Sequence, residues 1–223
     1  FSDVHHLQFK VGQNEPNRKC LMNLRSTLCL FPCMVFVTAI ICDTSATQEM
    51  TSSNNQSEKE IATFAGGCFW CVESDFDRVP GVIRTISGYT GGTLANPSYK
   101  QVSSGGTGHL EAVQIFYDPK VISFEKLLDV FWHSVDPTDK HGQFCDRGES
   151  YTTGIFANSS EQKRLADFSK QELAEADTLK EPIATLIKMA GPFYPAEDYH
   201  QDYYQKSPIR YELYRFRCGR DRR

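Results

Sequence analysis

Gly66-Gly67-Cys68-Phe69-Trp70-Cys71-Val72-Glu73 joins two segments of different period. Ahead of it, Ile61-Ala62-Thr63-Phe64-Ala65 reads as a short strand. Behind it, Phe69, Val72, Phe76 and Val79 recur at near-helical spacing. The two glycines allow a sharp turn between the segments. Cys68 is therefore expected where a strand hands over to a helix N-terminus. Unpaired N–H groups and the positive end of the helix dipole favour an anion there. A thiol in that place is expected to ionise well below its ordinary pKa of about 8.5, at roughly 3.5–7.5. The alternative is a buried cysteine that packs as a small hydrophobe.

Working outward, Pro80-Gly81 ends the helical pattern, and Val82 to Tyr89 reads as a strand. Loops follow at Gly88 to Pro97 and Ser103 to Gly108, and Gly-rich loops of this kind often carry functional groups. His109 to Tyr117 is a strand candidate closed by Asp118-Pro119. On it Glu111 shares a face with Val113 and Ile115. A carboxylate among apolar neighbours has its charged form disfavoured, which leaves a neutral acid able to donate a proton. If the strand begins later, Glu111 lies in solvent instead. Ser123 caps a helix with Phe124, Leu127, Leu128, Phe131 and Trp132 on one face. Residues 134–150 read as loop, and Tyr151 to Ala157 as a strand. Ser159 with Gln162 makes a capping box for a helix through about Asp177, and Ile183 to Met189 a last strand. The remainder, with Phe193, Tyr194, Tyr199, Tyr203 and Tyr204, reads as aromatic and irregular. Strands interleaved with helices predict a single α/β (α+β) sheet with helices packed on it.

The 223 residues carry a net charge of −4, with 23% charged and 40% hydrophobic. That suits one globular domain with extra segments. It gives no basic face for a nucleic-acid backbone. The basic cluster from Arg215 to Arg223 reads as a solvated tail. Residues 27–41, TLCLFPCMVFVTAII, follow Arg18, Lys19 and Arg25 and are short for a membrane span. They match the apolar region of a secretory signal, with Met22 as a natural start and residues 1–21 as upstream translation or a cloning remnant. Thr44-Ser45-Ala46 is a tolerable cleavage site; Cys42 as a lipid attachment point and an uncleaved anchor stay open. Residues 43–60 are polar and read as a flexible linker. The expected organisation is a leader at 1–42, a linker at 43–60, a folded body at 61–217 and a basic tail at 218–223. Export is expected, to a periplasm or to a membrane through the leader, with a cytoplasmic chain as the alternative.

GCFWCVE, GYTGG, NPSY, GTGHLEAV, FYDP, CDRGESY and FYPAEDYHQDY occur in that order across 61–217. In these motifs the body resembles the type A peptide methionine sulfoxide reductases, and the resemblance covers none of the leader. It implies a two-layer sandwich with a mixed sheet and a ferredoxin-like core. It also implies no bound metal or organic cofactor. A monomer is expected, though the sequence itself does not reveal the oligomeric state. The resemblance makes Cys68 the nucleophile, Glu111 the proton donor, and Tyr99 and Tyr151 the two tyrosines that face the sulfoxide oxygen. Asp146 supports that polar network, and Phe69 and Trp70 form the pocket for the substrate methyl. The S epimer of methionine sulfoxide, free or in oxidised proteins, is the implied substrate.

The chemistry agrees with these residue types. A sulfoxide sulfur needs a soft nucleophile, and a thiolate is the best side chain for it. Taken singly, Phe69, Trp70, Tyr99 and Tyr151 could be core or scaffold, and Asp146 could bind Arg147 or a loop amide. His109, His141 and His200 read as structural or surface residues. Turnover leaves a sulfenic acid on Cys68, which condenses with a second thiol. Cys71, Cys218 and Cys145 are the candidates. Cys71 is expected to act first and Cys218 to relay the disulfide to the surface, where thioredoxin or a similar dithiol restores the enzyme. Many members of the family have Gly in place of Cys71, which leaves the resolving step open. A general thiol–disulfide oxidoreductase using Cys68 and Cys71 is the runner-up. A zinc site on Cys68, Cys71, Cys145 and Cys218 lacks a second close pair.

Overall fold

Alternating and continuous apolar runs sort the strands. Glu60–Gly66 forms β1, buried along its last five residues, as expected for a central strand covered on both faces. The computed structural model describes residues 59–176 and 178–222, so the expectations for the leader and for the linker up to residue 58 lie outside the described residues. From β1 the chain runs through α1 (Phe69–Phe76), β2 (Val82–Thr90), α2 (Tyr99–Ser103), β3 (Leu110–Tyr117) and α3 (Phe124–Ser134). Short strands β4 (Gly142–Gln143) and β5 (Asp146–Arg147) precede a 3₁₀ turn at Glu149–Tyr151. Next come β6 (Thr153–Ala157), α4 (Ser160–Glu175), β7 (Leu186–Met189), β8 (Phe193–Pro195), α5 (Tyr203–Lys206) and α6 (Pro208–Cys218). A second 3₁₀ turn covers Arg220–Arg222.

The main sheet has the order β7-β6-β1-β3-β2-β8. Its inner four strands pair antiparallel, with β1 between β6 and β3 and β2 beyond β3. Helices α1 and α3 make the two crossovers, so the core is ferredoxin-like, as the resemblance implied. Parallel β7 and antiparallel β8 make the whole sheet mixed. Phe64 of β1 is fully buried, and its ring lies 5.4 Å from Phe76, 5.9 Å from Phe124 and 5.0 Å from Phe131. Each such ring stabilises the fold by roughly 1.5–3 kcal/mol on burial, so this cluster fixes α1 and α3 against β1.

Capping signals hold with one adjustment. Ser123 accepts from the Lys126 N–H at 3.4 Å, and Ser159 from the Gln162 N–H at 3.1 Å. The Gln162 side chain reaches back past the cap to the Asn158 N–H at 2.9 Å, and its amide donates to the Ile61 carbonyl. Half of the expected box forms, and the other half ties α4 to β1.

Several expectations are corrected. The first helix ends at Phe76, before Val79, and the strand after Tyr151 starts at Thr153 because Tyr151 closes the 3₁₀ turn. Residues 134–150 hold the β4–β5 pair. The C-terminal segment is not irregular: α6 starts at Pro208, whose fixed φ suits the first helical position. It stops at Gly219, whose φ of 78° only glycine adopts freely and whose N–H bonds the Arg215 and Phe216 carbonyls. Hydrophobic periodicity misleads here because α6 is inverted. Ile209, Leu213 and Phe216 are exposed, while Tyr211 is buried. Nor is the tail solvated throughout, since Arg220 is only 5% exposed.

Candidate active site

The glycine pair resolves into two different jobs. Gly66 ends β1, and Gly67 makes the turn with a φ of 83°. A Cβ on Gly67 would fall 2.6 Å from Cβ of Gln143, so this bend admits only glycine. Cys68 follows as the N-cap of α1, and its carbonyl accepts from the Cys71 and Val72 N–H groups. Cys68 and Cys71 are both free and both buried.

The free N–H at the start of α1 does not serve the thiol. Phe69 N–H donates at 3.0 Å to Oε2 of Glu111, which β3 brings up from across the sheet. Glu111 is 2% exposed. Burial pushes its carboxyl up to about 8, and the Phe69 bond only partly offsets this. The carboxyl is thus neutral near pH 7, as its apolar face predicted. Cys68 departs from expectation. Burial, then its hydrogen bond to the Cys71 thiol, then the nearby negative charges of Cys71, Glu111 and Asp146 hold it well above the ordinary range. A buried thiol whose helix N–H is already taken by a carboxyl has lost the contact that would have lowered it.

Tyr99 opens α2, and its N–H donates to Glu197 at 2.9 Å; the second oxygen of Glu197 accepts from the buried Tyr89 hydroxyl. Tyr151, from the first 3₁₀ turn, places its hydroxyl in hydrogen-bonding range of Glu111 and Tyr99. Phe69 is 1% exposed and packs on Tyr99, with ring centres 6.5 Å apart. Trp70 stacks on Tyr203 at 3.7 Å and 12° and donates its indole N–H to Nδ1 of His200 at 3.0 Å. Asp146 accepts from the Tyr214 hydroxyl, and burial raises its carboxyl. It does not bind Arg147, which pairs with Asp139.

Cys68, Phe69, Trp70, Tyr99, Glu111, Asp146, Tyr151 and Tyr214 line one cavity of about 120 Å³. All seven expected catalytic and pocket residues therefore meet. The volume suits the end of a side chain. A larger cleft of about 380 Å³, beside Asp75, His133 and Arg215, has no thiol on its walls. Cys71 lies behind Cys68 and not on the cavity wall. Cys218 is bonded to Cys145, 73 residues away in sequence.

Sequence reasoning missed Tyr214, Glu197 and the position of His200. His200 is structural, buried against the aromatic wall of the pocket, its ring 4.9 Å from Phe69 and 4.4 Å from Tyr99. The spacing of Tyr211, Tyr214 and Cys218 along one helical face was the available signal for Tyr214.

A thiol and a neutral carboxylic acid facing one small aromatic-walled cavity on a ferredoxin-like core define a cysteine-dependent reductase. Residues 60–223 match the family model of peptide methionine sulfoxide reductase. The chain is 56% identical over 164 residues to peptide methionine sulfoxide reductase MsrA of Bacillus licheniformis, covering 74% of this chain and 91% of that one. It is 55% identical over 163 residues to the Bacillus subtilis MsrA, covering 73% and 92%. Among solved structures it is similar to reduced Mxr1 of Saccharomyces cerevisiae, with a TM-score of 0.64 and 33% identity over 69% of this chain and 88% of that one. Methionine sulfoxide reductase A of Corynebacterium diphtheriae gives 0.62 and 32% over 70% and 78%. The chain belongs to the peptide methionine sulfoxide reductase family, and it is an enzyme that reduces methionine sulfoxide to methionine.

Proposed function

We propose that Cys68 is the nucleophile and Glu111 the proton donor in reduction of the S epimer of methionine sulfoxide, free or within oxidised proteins. The observation that carries this reading is the neutral, buried Glu111 beside the Cys68 turn. Phe69 and Trp70 receive the methyl, and the Tyr99 and Tyr151 hydroxyls donate to the oxygen. Asp146, held by Tyr214, supports the polar wall.

The Cys68 sulfur attacks the sulfoxide sulfur while Glu111 protonates the oxygen. The substrate sulfur gains two electrons and leaves as the thioether. Cys68 loses two and becomes a sulfenic acid, and its former thiol proton returns to Glu111. A donor aimed at the developing charge is worth about 3 kcal/mol, so the two tyrosines and Glu111 together supply a large part of the rate.

Cys71 then displaces water from the sulfenic acid to give a disulfide. Cys145 is exposed whereas Cys68 and Cys71 are buried. The Cys145–Cys218 pair is therefore the disulfide offered to a thioredoxin-like dithiol, which fits the expected relay through Cys218 once that residue is reduced. General disulfide exchange would make no use of the neutral Glu111 or of the tyrosines that share the cavity with Cys68, which favours the sulfoxide reading. Organisation into leader, linker, reductase domain and basic tail, export through the leader, and a monomeric state complete the reading. It is tested by giving the reduced protein, with dithiothreitol, the separate S and R sulfoxides of N-acetylmethionine. S-only reduction that disappears in Cys68→Ser is expected; reduction of neither epimer by folded protein would overturn it.

A further inference from the structure

Arg220 lies where a tail residue is least expected. It is 5% exposed, and its Nη1 donates at 3.0 Å to the carbonyl of Gly66, at the end of β1. Its Nε lies 3.6 Å from Oδ2 of Asp75 on α1. Cys71 and Asp75 are four residues apart on that helix and share a face. Gly66 precedes the same helix. A guanidinium reaching from Gly66 to Asp75 therefore runs along the face that carries Cys71.

The carboxylates there offset the charge only in part: Asp146 lies within reach of Arg220's charge, but burial raises its carboxyl. Arg215 reaches the Asp75 carboxylate from α6, with Nη1 2.7 Å from its Oδ1. Two guanidinium groups thus share one largely buried carboxylate. Asp221 also binds Arg215, but its side chain is 57% exposed and water screens it. Nε and Nη2 of Arg220 have no hydrogen-bond partner among the described residues. A buried cation short of a counter-charge is costly, and the buried Cys71 thiol is the group placed to supply one.

We propose that Arg220, with Arg215, is the charge partner that holds Cys71 as a thiolate, and that this makes Cys71 the nucleophile that resolves the Cys68 sulfenic acid. The inference rests on the reading of Cys68 as the oxidised cysteine. Arg220 touches neither substrate nor the reacting sulfur of Cys68; it is a positioning residue. The titratable groups that face Cys71 are Cys68 from the turn, Asp75 on α1, Glu111 from β3, Tyr211, Tyr214 and Arg215 from α6, and Arg220 from the last turn. The hydrogen bond with Cys68 pulls Cys71 down most, burial opposes it, and Arg220 and then Arg215 pull it down further. In the resolving step the Cys71 sulfur attacks the Cys68 sulfur, the S–S bond forms and the S–O bond breaks. Each sulfur ends at the disulfide level, and hydroxide leaves as water with the proton that Cys71 had given up.

The test oxidises fully reduced enzyme with one equivalent of N-acetylmethionine S-sulfoxide and no reductant, at pH 6 to 10. Released N-acetylmethionine reports the first step. Dimedone-trapped sulfenic acid and mass mapping of the Cys68–Cys71 bond report the second. Wild type is expected to resolve with a midpoint below the ordinary cysteine value of about 8.5. Arg220→Met is expected to raise that midpoint by about 1–3 pH units, the effect of a neighbouring opposite charge, and to accumulate sulfenic acid. Arg220→Lys, which keeps the charge, is expected to restore most of the shift. An Arg220→Met midpoint equal to that of wild type overturns the proposal. So does a wild-type midpoint at or above the ordinary value, which needs no variant to fold. Absence of any N-acetylmethionine from wild type would instead bring down the Cys68 reading itself, and the inference with it.

Discussion

Glu111→Gln isolates the proton-donor role with little geometric change. The glutamine oxygen still accepts from Phe69 N–H, the bond that anchors the carboxyl at the start of α1. With its pKa near 8, Glu111 is about nine-tenths protonated at pH 7. An exposed glutamate at 4.5 would hold under about 1% of that form. The neutral population therefore falls about tenfold per pH unit above 8. General acids of this kind contribute about 10²–10⁴ in rate. Initial rates with N-acetylmethionine S-sulfoxide and dithiothreitol, taken from pH 6 to 9.5, are expected to show wild-type kcat/KM falling through a limb near 8. Glu111→Gln is expected to be slower by about 10²–10⁴ at pH 6.5 and to lack that limb. Activity within about threefold of wild type, or a limb that persists in the variant, would refute the assignment.

The same group makes stability depend on pH in a fixed sense. Below 4.5 the carboxyl is neutral in both folded and unfolded chains. Between 4.5 and 8 the folded state holds the extra proton, so stability falls as pH rises, by up to roughly 5 kcal/mol. Urea midpoints of wild type and Glu111→Gln should accordingly diverge from pH 5 to 9 in favour of the variant. Gly67→Ala forces a φ of 83° on a residue with a Cβ that meets Gln143, and should cost about 2–4 kcal/mol in denaturant melts. Tyr214→Phe removes the hydroxyl that Asp146 accepts from, and kcat/KM should drop about tenfold, near 1.4 kcal/mol. Joint replacement of Cys145 and Cys218 by Ala opens a 73-residue cross-link and should lower non-reducing stability by about 2–4 kcal/mol; unchanged melting would show that the cross-link constrains little.

Local chemistry was legible in the sequence because it depends on neighbours along the chain. Ser123 and Ser159 cap helices because their side chains reach N–H groups three residues on. Gly67 turns because its own φ demands it, and alternation along β3 sets Glu111 among apolar residues. Those signals, with the ordered motifs, singled out Cys68, Glu111, Tyr99, Tyr151, Phe69 and Trp70, which the fold brings to one cavity. The pairing of charges and thiols was decided elsewhere. Phe69 N–H chose Glu111 over the Cys68 thiol, because the sheet brings that carboxyl to the helix start across 42 residues. Burial then raised Cys68 where the helix terminus alone would have lowered it. The inverted face of α6, the Tyr214–Asp146 bond, the Cys145–Cys218 cross-link and the buried Arg220 depend on contacts between the C-terminal helix and turns far behind it. No periodicity encodes such contacts, since desolvation and charge pairing act through space and become fixed only when the chain has closed around them.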